Sequence, residues 1–304
     1  MEKTEAPATP DLEAPDLPAK QSSVAQRWKQ NLSPTHADLV CLLLTFLTGL
    51  CDSSAYNAWS CFLGMQTGTS HSRRSPAKGG AKPKPPTNIP RETQKTNNPS
   101  SKTGNTIFLG LGASNQPNNK PWGWLKSLVS IASFFFGSMI FSIAMRSVGS
   151  LRRGTLFVSF FVQTILIIIA VALIEADLIP HTSSDATLTG GPLFLELIPI
   201  GLLAFQSAGG MTCSRALGYN EIPTVVLTSV YFDIASDPKI TDKPNTNVKR
   251  NRRVGGVVCL LIGAIVGGWL SRSSGGMQSA LWMAAGLKFV AAIGWLFWKA
   301  APAK

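Results

Sequence analysis

Charge is scarce in this chain. Of its 304 residues only 14% are Asp, Glu, Lys or Arg, while 45% are hydrophobic, and an ordinary soluble domain carries about a quarter charged residues. That composition points away from a soluble protein and towards a membrane protein. Histidine is scarce as well: His36, His71 and His181 are scattered outside the apolar stretches, which excludes a histidine metal centre. The five cysteines, Cys41, Cys51, Cys61, Cys213 and Cys259, are odd in number, show no C-x-x-C spacing and lie in or near apolar stretches, so they read as packing residues. No nucleophile elbow, H-E-x-x-H, Walker loop or dinucleotide fingerprint occurs. The sequence therefore points to no enzyme and implies no cofactor.

What charge there is lies unevenly. The net charge is +12, and the stretch 69–104 alone holds Arg73, Arg74, Lys78, Lys82, Lys84, Arg91, Lys95 and Lys102 against Glu92. No aromatic-interleaved basic face accompanies it, so nucleic acid is not an expected partner. Residues 1–36 carry five prolines among mixed charges and are expected to form a disordered tail. The acidic, proline-rich start lacks the pattern of a cleavable secretory signal, so the first apolar segment is expected to do the targeting.

Six apolar runs follow: Leu39 to Asp52, Ser127 to Met145, Thr155 to Ile174, Phe194 to Met211, Val254 to Leu270 and Ala280 to Phe297. They predict an all-α, polytopic helical membrane domain over 37–302, with six spans and seven at most. Two further stretches are too short or too interrupted to cross: Trp59 to Met65 continuing into Asn105 to Gly112, and Thr224 to Ala235. Both read as broken or re-entrant elements, tolerated where protein or water covers the backbone. Arg146, Arg152, Arg153, Lys249, Arg250, Arg252, Arg253 and Lys299 fall on one side, and the loop 175–193 with Glu175, Asp177 and Asp185 on the other. The positive-inside rule then puts both termini in the cytosol, with the bilayer as the expected environment.

The halves resemble one another. A shift of 126 residues sets Lys126 on Arg252, Gly137 on Gly263 and Arg146 on Arg272, and a shift of 125 sets Thr103 on Thr228. Two units of three spans plus one broken element would lie inverted with respect to each other, the plan of many secondary transporters. Residues 69–104 stand outside this pattern. They interrupt a stretch that reads smoothly as GMQTG followed by NTIFLG, Thr67-Gly68 recurs at the far edge as Thr103-Gly104, and 36 residues is a whole number of codons. This predicts a disordered basic insert that is a retained intron, the alternative being a natural polar loop.

The strings TGLCDSSAYNAW, QTG joined to NTIFLG, and ALGYNEIPTVVLTSVYFDIAS resemble the domain of unknown function 1275, the YoaK-like membrane family, in its fungal form, over residues 38–300 apart from the insert. The resemblance implies a polytopic membrane fold and no established activity.

Ionisable and amide side chains inside apolar segments are the candidate site, because each costs about 2.5–3.5 kcal/mol at the bilayer centre when it is Asp, Lys or Arg. Asp52, expected at a break in the first span, and Asp233 at the end of the second broken element could coordinate a cation or proton, or be interfacial helix-end carboxylates. Asn105 and Thr106 begin the NTIFLG stretch, where free helix amides suit an anionic group or where Asn simply caps. Gln206 and Arg215 bracket an expected break at Ser-Ala-Gly-Gly-Met; the guanidinium could meet Asp52 or a substrate carboxylate, or lie at the cytosolic edge. The expected function is a small-solute or ion secondary transporter, with a non-transporting membrane scaffold or regulatory subunit as the alternative. The oligomeric state is not legible.

Overall fold

The computed structural model describes residues 24–66, 104–114, 122–179, 191–222 and 227–302. The first 23 residues of the expected tail and nearly all of the basic insert lie outside the described residues. In chain order the helices are α1 (Val24–Lys29), α2 (Asp38–Trp59), α3 (Asn105–Gly112), α4 (Gly123–Val148), α5 (Arg153–Glu175), α6 (Gly191–Ala216), α7 (Thr228–Ala235), α8 (Val248–Ser271) and α9 (Gly276–Phe297).

Six of them, α2, α4, α5, α6, α8 and α9, are long and apolar enough to cross a membrane. The shortest has 22 residues, and at about 1.5 Å per residue it spans the roughly 30 Å of hydrocarbon. Their outer faces leave Phe135, Phe136, Ile140, Leu261, Ile265 and Val290 exposed, as lipid-facing positions must be. The eight-residue α3 and α7 reach only about 12 Å and cannot cross.

The spans pair as α2 with α8, α4 with α6, and α5 with α9. Without a hydrophobic drive between helices in lipid, small residues let backbones approach. A methyl group on Gly263 of α8 would stand 2.0 Å from the Phe46 carbonyl oxygen of α2, and one on Gly49 of α2 would stand 2.1 Å from that of Leu260. Only glycine permits this contact.

One end of the bundle gathers three segments. Leu32 N–H donates to Leu151 O at 2.8 Å, Ser33 N–H to Lys299 O at 3.0 Å and Ala301 N–H to Asn31 O at 2.8 Å. Arg153 reaches across to the carbonyls of Leu296 and Trp298, at 3.2 and 2.6 Å. Residues 24–36, expected within the disordered tail, are therefore structured: Leu32 is buried, and its backbone joins the connections before α5 and after α9. Six crossings put the beginning of α2 and the end of α9 on the same side, as this contact requires.

Two local expectations are corrected. α2 does not break at Asp52 but runs to Trp59 and ends at Ser60, whose φ of 56° is left-handed. α6 continues unbroken through Ser207 to Met211 to Ala216, even with Pro199 inside it. Glycines tucked against neighbouring helices, rather than helix breaks, explain the Gly-Gly pair there: Gly209 lies against the Gln163 amide and Phe141, and Gly210 against Leu44.

Candidate functional site

After Ser60 the chain turns back along α2 without helical hydrogen bonds of its own. Backbone at this depth is tolerated only if the protein supplies partners, and Asp52 supplies three. Its Oδ1 accepts the N–H groups of Leu63 and Gly64 at 2.7 and 2.8 Å, and its Oδ2 accepts that of Met65 at 2.9 Å. Asn105, fully buried at the start of α3, braces the same segment. Its Oδ1 accepts Phe62 N–H at 3.1 Å, while its Nδ2 donates to Phe62 O at 2.7 Å and Gln66 Oε1 at 2.9 Å. Thr106 donates both its N–H and its hydroxyl to Gln66 O, at 3.0 and 2.9 Å. Residues 60–66 and α3 thus form one re-entrant unit, although 37 residues separate Gln66 from Gly104 in the chain.

Behind this unit, between α2, α6 and α9, lies a cavity bordered by Thr48, Asp52, Gln206, Ser207 and Lys288. The space open to the centre of a water molecule is ≈ 20 Å³, enough for about one water. Lys288 is buried, with 4% of its surface exposed. Its Nζ donates to Gln163 Oε1 at 2.7 Å and to Gln206 Oε1. Among the described residues it forms no ion pair and its third proton has no acceptor. An ammonium held only by neutral amide oxygens, in a cavity that admits one small guest, can bind an ion or exchange a proton.

Several close approaches between the spans recur at constant offsets along the chain. A methyl group on Gly263 would meet Phe46 O, and one on Gly137, 126 residues earlier, would stand 2.8 Å from Phe205 O, 159 residues after Phe46. A methyl group on Gly267 would stand 2.5 Å from Leu50 O, and at the corresponding positions one on Gly209 would stand 2.9 Å from the Phe141 ring, with large and small residues exchanged. A methyl group on Gly255 would stand 3.4 Å from Leu42, and one on Gly201 3.6 Å from Val129, again with the same offsets. Two ion pairs stand in similar places, Lys126 with Glu196 and Arg252 with Asp38, the latter at 3.1 Å, at the N-terminal ends of the α4–α6 and α2–α8 pairs, with the carboxylates 158 residues apart, one short of the offset above. Finally, Thr106 N–H to Gln66 O matches Tyr231 N–H to Leu227 O at 2.9 Å, which in α7 is an ordinary bond between residues four apart.

A family described as "Protein of unknown function (DUF1275)" matches residues 99–294. The chain belongs to the DUF1275 family. The DUF1275 match runs from the edge of α3 into α9 and takes in Gln163, Gln206, Ser207 and Lys288, while α2 with Asp52 precedes it. Among curated proteins and among solved structures nothing matches the chain.

Of the residues expected to form a site in this DUF1275 protein, Asp52 and Gln206 meet at the cavity. Asn105 and Thr106 stand beside it as braces of the re-entrant segment. Arg215 does not reach Asp52; it is exposed and donates to Asn220 at 3.0 Å. Asp233, half-buried on α7, sits 3.6 Å from Arg253 and away from the cavity. Gln163, Ser207 and Lys288 were not among the expected site residues. Lys288 carried a signal all the same, as the only Asp, Glu, Lys or Arg in α9.

Proposed function

We propose that this membrane protein is a secondary carrier of a small solute or ion, in which two inverted halves move against each other around the cavity between α2, α6 and α9. The first half takes in α2 to α5 and the second α6 to α9. With three spans each, the second half enters the membrane upside down, and substrate sites in such folds lie at the interface of the repeats.

The observation that carries the reading is what lines the cavity. Thr48 and Ser207, Leu47 and Gln206, Cys51 and Gly210, and Asp52 and Met211 are residues 159 apart on α2 and α6, and all of them border it. A cavity bordered by equivalent positions from both copies is expected on the axis that exchanges them. Gln163 and Lys288, 125 apart on α5 and α9, hydrogen-bond to each other there. The offset between the halves also supports the reading of 69–104 as a retained intron. The shift from α2 to α6 is 159 and the Thr106 to Tyr231 shift is 125, a difference of 34, within two of the 36 residues of the insert.

The concentration of Arg146, Arg152, Arg153, Arg250 and Arg252 at the end that holds both the start of α2 and the end of α9 supports cytosolic termini. The test is flux. Purified protein in sealed vesicles, screened with inorganic ions, organic acids, amino acids and sugars, should move at least one class faster than protein-free vesicles. Asp52→Asn should lower that flux together with the order of residues 60–66, whose N–H groups the carboxylate accepts. Absence of flux across the whole panel would make the scaffold the better reading.

A further inference from the structure

We propose that the cavity takes a small monovalent anion, of the size of chloride or formate, and that the Lys288 ammonium holds it; this rests on the carrier reading above. Two charged side chains border the cavity, and the structure treats them differently. Both oxygens of Asp52 are engaged by the N–H groups of Leu63, Gly64 and Met65, so this carboxylate is already met by three amide dipoles and serves the fold of residues 60–66. Lys288 has no such compensation. It faces the amide oxygens of Gln163 and Gln206, which are neutral, and among the described residues one of its three protons is without an acceptor.

A cation inside the hydrocarbon region that lacks a counter-charge is retained at a cost and marks an ion path or a ligand site. The counter-charge that fits must be small, because the open volume of ≈ 20 Å³ accommodates about one water-sized guest. It must also be singly charged, since one ammonium answers it. Cations are disfavoured beside Lys288, and three of the roughly four acceptor sites of the Asp52 carboxylate that would ligate them are already used by backbone N–H groups. Gln206 and Ser207 border the same space and add polar groups that can turn towards a guest. Lys126 and Arg252, the other span cations nearest to carboxylates, already have Glu196, Asp38 and Glu221. Arg153 and Arg250 meet neutral backbone carbonyls at helix ends, so Lys288 is the cation without a carboxylate at the cavity itself.

The experiment uses the full chain in sealed vesicles and compares chloride and formate with sodium, potassium, choline and neutral solutes such as glycerol. Wild-type protein should carry chloride or formate in a saturable manner. Lys288→Gln should lower that flux at least tenfold, and Lys288→Arg should retain part of it. In detergent, chloride or formate should raise the thermal midpoint of the wild type, and sodium or potassium supplied with a large organic anion should not. This arm stands even if the Lys288 variants fail to fold. Flux of cations or neutral solutes without anion flux overturns the anion assignment and leaves the carrier intact. Anion flux unchanged in folded Lys288→Gln overturns the role of Lys288. No flux of any kind, together with no shift of the midpoint, overturns both.

Discussion

Deleting Thr69 to Gly104 joins Gly68 to Asn105, leaves 268 residues and lowers the net charge from +12 to +5. The junction is already prepared in the fold. Gln66 O and Thr106 N–H lie 3.0 Å apart, and after the deletion they become residues four apart, the spacing that Leu227 and Tyr231 have in α7. The present chain must close a loop of about 39 residues to make this bond, against about three without the insert. The closure term (3/2)RT ln n then favours the shorter chain by about 2 kcal/mol. For a protein of this size that corresponds to a rise of roughly 4 °C in the thermal midpoint. The assay is size-exclusion chromatography of the detergent-solubilised protein after stepwise heating, for the full and the shortened chain side by side. A shortened chain that aggregates or melts earlier would refute the reasoning. So would mature transcripts that predominantly read through the region, together with its peptides in membrane fractions.

Gly263→Ala forces a methyl group to 2.0 Å from the Phe46 carbonyl and should cost at least about 1–3 kcal/mol in detergent melts, whereas Gly268→Ala, with nothing within 4 Å, should be neutral or stabilising; equal effects would contradict the close α2–α8 contact. Asp237 organises the connection from α7 to α8, because its carboxylate accepts Lys239 N–H and the Asn247 amide, both at 2.9 Å. These bonds hold it below the ordinary aspartate value of 3.8, and a depressed carboxylate stabilises fully above that value and progressively loses its effect as pH falls through the lower folded value. Intrinsic-rate-corrected hydrogen exchange over residues 236–250 should therefore be flat from neutral pH down to about 5 and rise only below about 4; a rise near neutral pH would contradict this. Single cysteines at Ser150 and Ser183, in a background without the native five, should react oppositely with an impermeant thiol reagent on intact cells. Labelling at 183 alone agrees with cytosolic termini, and labelling at 150 alone reverses them.

The architecture was largely legible because lipid imposes a coarse rule: every crossing needs an unbroken apolar run, and all six runs read from the sequence lie inside the six long helices. The two short elements were legible for the same reason, α3 and α7 being too brief to span. Helix continuity was harder. Asp52 and the Gly209-Gly210 pair look like breaks in one dimension, yet a carboxylate can be satisfied by a segment that folds back eleven residues later, and glycines can serve a neighbouring helix. Tail residues such as Leu32 looked unstructured because the partners that order them, Leu151 and Ala300, lie more than a hundred residues away. The site was half legible. Asp52 and Gln206 stood out as polar residues in apolar runs, but the meeting of Gln206 with Lys288 across α6 and α9 is a matter of helix rotation, which a chain of near-uniform hydrophobicity does not encode in its periodicity.

The central claim is that the cavity opens alternately to both sides of the membrane, and accessibility of Ser207 tests it most directly. Ser207→Cys changes one atom at the cavity wall, and with the five native cysteines replaced it is the only thiol. A carrier predicts that an impermeant methanethiosulfonate reagent modifies this cysteine both from outside in intact cells and from the cytosolic face in inside-out vesicles, with the transported ion slowing both reactions. Protein that labels fully when denatured but from neither face when folded would contradict the account and leave a static membrane scaffold.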